Sequence, residues 1–77
     1  MEQLIREAKR VSLALFGTPD VLNHVDAILL IEILSFVNRR GSGLPPAHKI
    51  ALTAIVQLSE HEPSVARGLM VDLDKAS

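Results

Sequence analysis

The stretch VDAILLIEILSFV, Val25 to Val37, holds ten apolar residues among thirteen and is interrupted only by Asp26, Glu32 and Ser35. A segment this apolar in a chain of 77 residues must either cross a membrane or be covered on nearly every side by protein. As a helix it rises about 20 Å, against a hydrocarbon core of about 30 Å. Asp26 and Glu32 would each cost roughly 2.5 kcal/mol or more near a bilayer centre, and no apolar flank extends the run. The segment therefore reads as a buried helix, and no membrane partner is expected.

Its neighbours define where that helix begins and ends. Gly17 stands where a left-handed residue closes a preceding helix, and Thr18, Pro19 and Asp20 form a start signal of N-cap, N1 and first-turn acid. Arg39 and Arg40 followed by Gly41 form a stop signal, two cations in the last turn and glycine after it. The spacing thus predicts one long helix over 19–40. On a helical wheel Asp20, His24, Glu32, Ser35, Asn38 and Arg39 crowd into about a third of the circumference, leaving a very wide apolar arc.

Before it, Leu4, Ile5, Ala8, Val11, Ser12 and Leu15 recur at three- and four-residue steps and predict a helix over 2–16, with a tight corner that makes the first two helices antiparallel neighbours. After it, Gly41, Ser42 and Gly43 form a link, and Pro45 or Pro46 opens a third helix over 46–60. The apolar set Ala47, Ile50, Ala51, Leu52, Ala54, Ile55, Val56 and Leu58 covers more than half of that wheel, so this helix too is expected to be unusually buried. Glu62 and Pro63 break it, and Val65, Ala66, Leu69, Met70 and Leu73 predict a shorter fourth helix over 63–75. The expected fold is a single all-α domain spanning 1–77.

Composition limits what such a domain can do. With no cysteine, thiolate catalysis and Cys-ligated metal sites are excluded, and a reducing, cytoplasmic location is expected for a chain whose N-terminus carries no apolar leader pattern. Aromatics make up 3% of the chain against 48% hydrophobic residues, so the core must be aliphatic. Eight basic and nine acidic residues leave a net charge of −1, which gives no field to draw in nucleic acid.

No chemical motif stands out from this background. His24, His48 and His61 lie too far apart for an H-E-x-x-H site, and Glu60, His61 and Glu62 are consecutive, so their side chains point about 100° apart on a helix. His24 is four residues after Asp20, an ordinary first-turn pair without a nucleophile beside it. GSGLPP lacks the lysine and the preceding strand of a phosphate loop. No enzyme activity and no cofactor are expected, and no motif carries a family resemblance.

The functional expectation rests instead on surplus apolar surface. A folded monomer of 8.4 kDa exposes roughly 4,600 Å². A standard interface takes about 800 Å² from each partner. Apolar residues beyond the needs of an intrachain core then serve a second chain. The chain is expected to be a protein–protein interaction module, a regulator, adaptor or inhibitor, most simply a homodimer with an unidentified protein partner besides. Its interface is expected at Leu22, Val25, Leu29, Leu30, Ile33, Phe36 and Val37. Two alternatives stand beside it. The third and fourth helices have the outline of a helix-turn-helix, although Ser64, Arg67 and Lys75 face Asp72 and Asp74 and the DNA reading is not favoured. An aliphatic pocket between the second and third helices would instead carry an apolar ligand.

Overall fold

The computed structural model describes residues 2–40 and 44–76, apart from the side chains of Asn23 and His24. The expected Gly41–Gly43 link and the reading of His24 lie outside what is described. Among the described residues every regular element is helical: α1 (Glu2–Phe16), a short 3₁₀ turn (Val21–His24), α2 (Ala27–Arg40), α3 (Pro46–Ser59) and α4 (Pro63–Ala76). None of these helices is long and apolar enough to cross a membrane.

α1 forms as its periodicity predicts, burying Ala8, Val11 and Ser12. Gly17 ends it at φ 80°, and its N–H bonds the Leu13 carbonyl at 3.1 Å, the left-handed closure expected of a glycine there.

The long helix expected over 19–40 is not continuous. The 3₁₀ turn occupies Val21–His24, Val25 is extended at ψ 137°, and α2 starts only at Ala27. Two side chains account for the break. Asp26 accepts the Leu29 N–H at 2.8 Å, acting as N-cap, while its carbonyl accepts the Leu30 N–H at 2.9 Å, the first bond of α2. Aspartate favours this role over a helix interior because its short carboxylate competes for nearby backbone donors. At the other end the Leu22 N–H, which a continuous helix would turn to Thr18, donates to the buried Ser12 hydroxyl of α1 at 3.2 Å. The break lets Leu22 turn into the core, where it is 1% exposed.

α3 begins with Pro45 as N-cap and Pro46 at N1. It runs into α4 through Glu60, His61 and Glu62. The Glu62 N–H closes on Leu58 at 2.9 Å, and the Glu62 carbonyl accepts the Ala66 N–H at 3.0 Å, so the two helices form a close hairpin. α4 has 14 residues, as many as α2 and α3, and is not the shorter helix the sequence suggested.

The core is one aliphatic cluster fed by every helix: Val11 from α1, Leu22 from the turn, Leu29, Ile33 and Phe36 from α2, Leu52 and Ile55 from α3, and Ala66 and Met70 from α4. Phe36 sits at its centre. The Arg40 guanidinium lies 4.3 Å from its ring centroid and the His48 ring meets it edge-on at 5.5 Å, so α2 and α3 are joined through an aromatic contact. α1 packs against the C-terminal part of α2, where Glu7 accepts a hydrogen bond from Asn38. The accessible surface of 4866 Å² and radius of gyration of 11.3 Å match a compact monomer, for which scaling gives roughly 4,600 Å² and 11.5 Å.

Candidate interaction surface

Compactness does not hide all the aliphatic side chains. α2 buries Leu29, Ile33, Leu34 and Phe36 and turns Ile28 and Ile31 outward, at 60% and 52% exposure. The two are three residues apart and so share one stripe, continued by Ser35 and Asn38 in the second half of the helix. α4 lies alongside. Two ion pairs hold the helices together, Asp26 with Arg67 at 3.6 Å near one end and Arg39 with Asp74 near the other. All four side chains are more than a third exposed, so each pair contributes at most about 1 kcal/mol. Between them Ile31, Glu32 and Ser35 of α2 face Met70 and Val71 of α4 across a shallow groove of about 250 Å³. Val71 is itself 39% exposed. The groove thus has an aliphatic wall on each side and charges of both signs on its rim, Glu32 and Asp74 with Arg39 and Lys75.

The seven residues expected at an interface fall elsewhere. Leu22, Leu29, Ile33 and Phe36 are sealed within the chain's own core at 1% exposure or less, and Val25, Leu30 and Val37 are half-buried against it. The wide apolar arc is therefore divided: most of it meets the chain's own helices, and what remains for another molecule is Ile28 and Ile31. Helical periodicity alone could not choose between these arcs, because both are aliphatic; the break at Asp26 sets the rotation of α2 and decides it. α3 is likewise less covered than its pattern suggested, with Ile50 at 71% exposure and Ala47 and Ala54 also facing out.

The α3–α4 hairpin exists, but its outer side is not basic. Arg67 is drawn onto Asp26, Asp74 pairs with Arg39, and α4 shows solvent Val65, Leu69, Val71 and Asp72. The α2–α3 junction is filled by Phe36, Leu52 and Ile55 rather than hollow, and a larger groove opens instead between α1, the end of α2 and the start of α3. There Glu7 also accepts from Arg10 at 3.3 Å; its hydrogen bond from Asn38 and then the Arg10 guanidinium hold its carboxyl below the usual carboxylate range. No group of three His, Asp or Glu side chains arranged to hold a metal ion occurs among the described residues, and His61 is exposed at the end of α3.

No protein family, curated protein or solved structure matches this chain. The functional reading stands on its geometry alone.

Proposed function

We propose that this chain is a non-catalytic interaction module that pairs with a second copy of itself through the α2–α4 face, acting as a small regulator, adaptor or inhibitor. The observation that carries the reading is the outward pair Ile28 and Ile31 beside Val71 on a chain whose core is already complete without them. Isoleucines more than half exposed and adjacent on one stripe leave apolar area in water that a partner would remove. A second copy is the occupant best matched to this face, because a two-fold contact must be self-complementary. Here aliphatic groups meet aliphatic groups, while Glu32 and Asp74 supply the counterparts of Arg39 and Lys75. A standard interface of about 800 Å² per partner amounts to roughly a sixth of the 4866 Å² surface.

The test is light scattering coupled to size exclusion at micromolar concentration. A dimer is expected for the native chain and a monomer for Ile31→Asp, with little change in melting temperature of the monomeric unit because Ile31 makes no part of the core. Ile50→Asp, on the exposed side of α3, should leave the dimer intact. A native chain that elutes and scatters as a monomer at 100-fold higher concentration overturns the proposal, as does an Ile31→Asp variant that still dimerises.

A further inference from the structure

We propose that the groove between α1, the C-terminal end of α2 and the start of α3 binds an aliphatic anion, a carboxylate on an unbranched hydrocarbon chain. The groove has a volume of about 410 Å³, within the range of small-molecule sites and larger than the one between α2 and α4. Its floor is hydrocarbon: Val11 and Leu15 of α1, Val37 of α2 and Leu44 before α3. Arg10 of α1, Asn38 of α2 and Lys49 of α3 supply the polar part of its lining.

The charge balance of that polar part decides what the head group must be. Glu7 is the acidic side chain near it, and it is engaged by both Asn38 and Arg10 at 3.3 Å. Lys49 has no acidic partner among the described residues, so Arg10, Glu7 and Lys49 together leave one uncompensated positive charge beside an aliphatic floor. An apolar ligand without charge would fill the floor and leave that cation unanswered; a multiply charged polar anion would leave the floor in water. A single anionic head on a hydrocarbon tail answers both. At roughly 30 Å³ per methylene-sized group, by analogy with the share of a water molecule in the liquid, the space of about 410 Å³ holds about fourteen non-hydrogen atoms, room enough for decanoate.

This site shares only Asn38 with the stripe that carries Ile28 and Ile31, and it does not depend on self-association. The experiment is an NMR titration of the full ¹⁵N-labelled chain with decanoate, read from amide shifts. Saturable shifts centred on Val11, Leu15, Val37, Leu44 and Lys49 are expected. Decanol, with the same chain and no charge, should bind at least tenfold more weakly, and Lys49→Glu should weaken decanoate by a similar factor while the exposed position leaves the fold unchanged. Ala14→Trp, which fills the groove from an exposed position on α1, should abolish the saturable shifts and keeps the test open if the lysine variant is ambiguous. Equal affinity for decanol and decanoate, shifts centred on Ile28 and Ile31, or no saturation at all would each overturn the proposal. Co-sedimentation with vesicles of phosphatidylcholine and phosphatidylglycerol separates the two sources of such a ligand: no binding is expected, and vesicle binding without decanoate binding would replace the free anion with a lipid surface and refute the site.

Discussion

Removing the carboxylate of Asp26 tests the feature that separates this fold from the simpler one its sequence suggests. In the native chain that carboxylate makes two contacts: it caps α2 by accepting the Leu29 N–H at 2.8 Å, and it faces Arg67 of α4 at 3.6 Å. Loss of an Asp cap to alanine costs about 0.5–2 kcal/mol. The ion pair, with side chains 37% and 38% exposed, adds at most about 1 kcal/mol after solvent screening. Asp26→Ala should therefore destabilise the chain by about 0.5–3 kcal/mol. For a domain of this size each kilocalorie shifts the midpoint by about 4–8 °C, so a fall of about 2–24 °C is expected in a thermal melt followed by circular dichroism. Asparagine caps a helix about as well as aspartate, so Asp26→Asn isolates the charge and should cost less than about 1 kcal/mol, close to the cost of Arg67→Ala. Helix content should not rise in Asp26→Ala, because Leu22 remains tied to Ser12. If Asp26→Asn is as damaging as Asp26→Ala, capping is not the main contribution; if Asp26→Ala gains helix with no loss of stability, Asp26 alone holds the break and the Ser12 bond to Leu22 does not maintain it.

Other substitutions address the rest of the frame. Ser12→Ala leaves the Leu22 N–H buried without an acceptor and should cost about 1–3 kcal/mol in urea unfolding, whereas an unchanged midpoint would mean that this donor finds another partner. Gly17→Ala forces a Cβ into the left-handed conformation at φ 80° and should lower stability by about 1 kcal/mol even though no atom lies within 4 Å of the added methyl, a case of backbone strain without a clash. Glu7, whose folded pKa is lowered, contributes stability that is present above its ordinary value of 4.5 and is lost as pH falls through the lower folded value. Glu7→Gln should flatten that part of the acid limb of a stability profile and leave neutral pH little affected; an unchanged acid limb would count against the Asn38 and Arg10 contacts.

How much of this was legible beforehand depends on which force set each element. α1, its glycine closure and the proline start of α3 were readable because their signals are local: apolar residues at helical spacing, a residue that alone tolerates positive φ, a ring that presets φ at N1. The split before α2 was not, because the wheel treats Asp26 as one polar position at the end of an apolar run. Its role emerges only once Leu22 has found Ser12, ten residues earlier in the chain. The interface expectation turned on the same point. Leu29, Ile33 and Phe36 are indistinguishable from Ile28 and Ile31 by apolar character, and only the rotation of α2 against α1 and α4 determines which set the core takes. The bounds of α4 were legible to within a residue, and it is no shorter than its neighbours because α2 begins only at Ala27. The aliphatic groove beside Lys49 was not legible in the sequence, because Arg10 of α1 and Lys49 of α3 meet there only through the tertiary packing of α1, the end of α2 and the start of α3.

Phe36, enclosed between Arg40 and His48, has a spectroscopic consequence. The chain holds no tryptophan or tyrosine, so intrinsic fluorescence and near-ultraviolet absorption say little about its state. The ring current of Phe36 acts in their place. Protons on the Arg40 side chain, stacked over the ring face, should resonate upfield of their usual positions, and those of His48, at the ring edge, should be displaced as well. The His48 displacement vanishes if the α2–α3 contact opens, whereas that of Arg40, on the same helix as Phe36, persists while α2 holds, so two side-chain resonances separate loss of that contact from loss of the helix in a protein otherwise nearly silent to light.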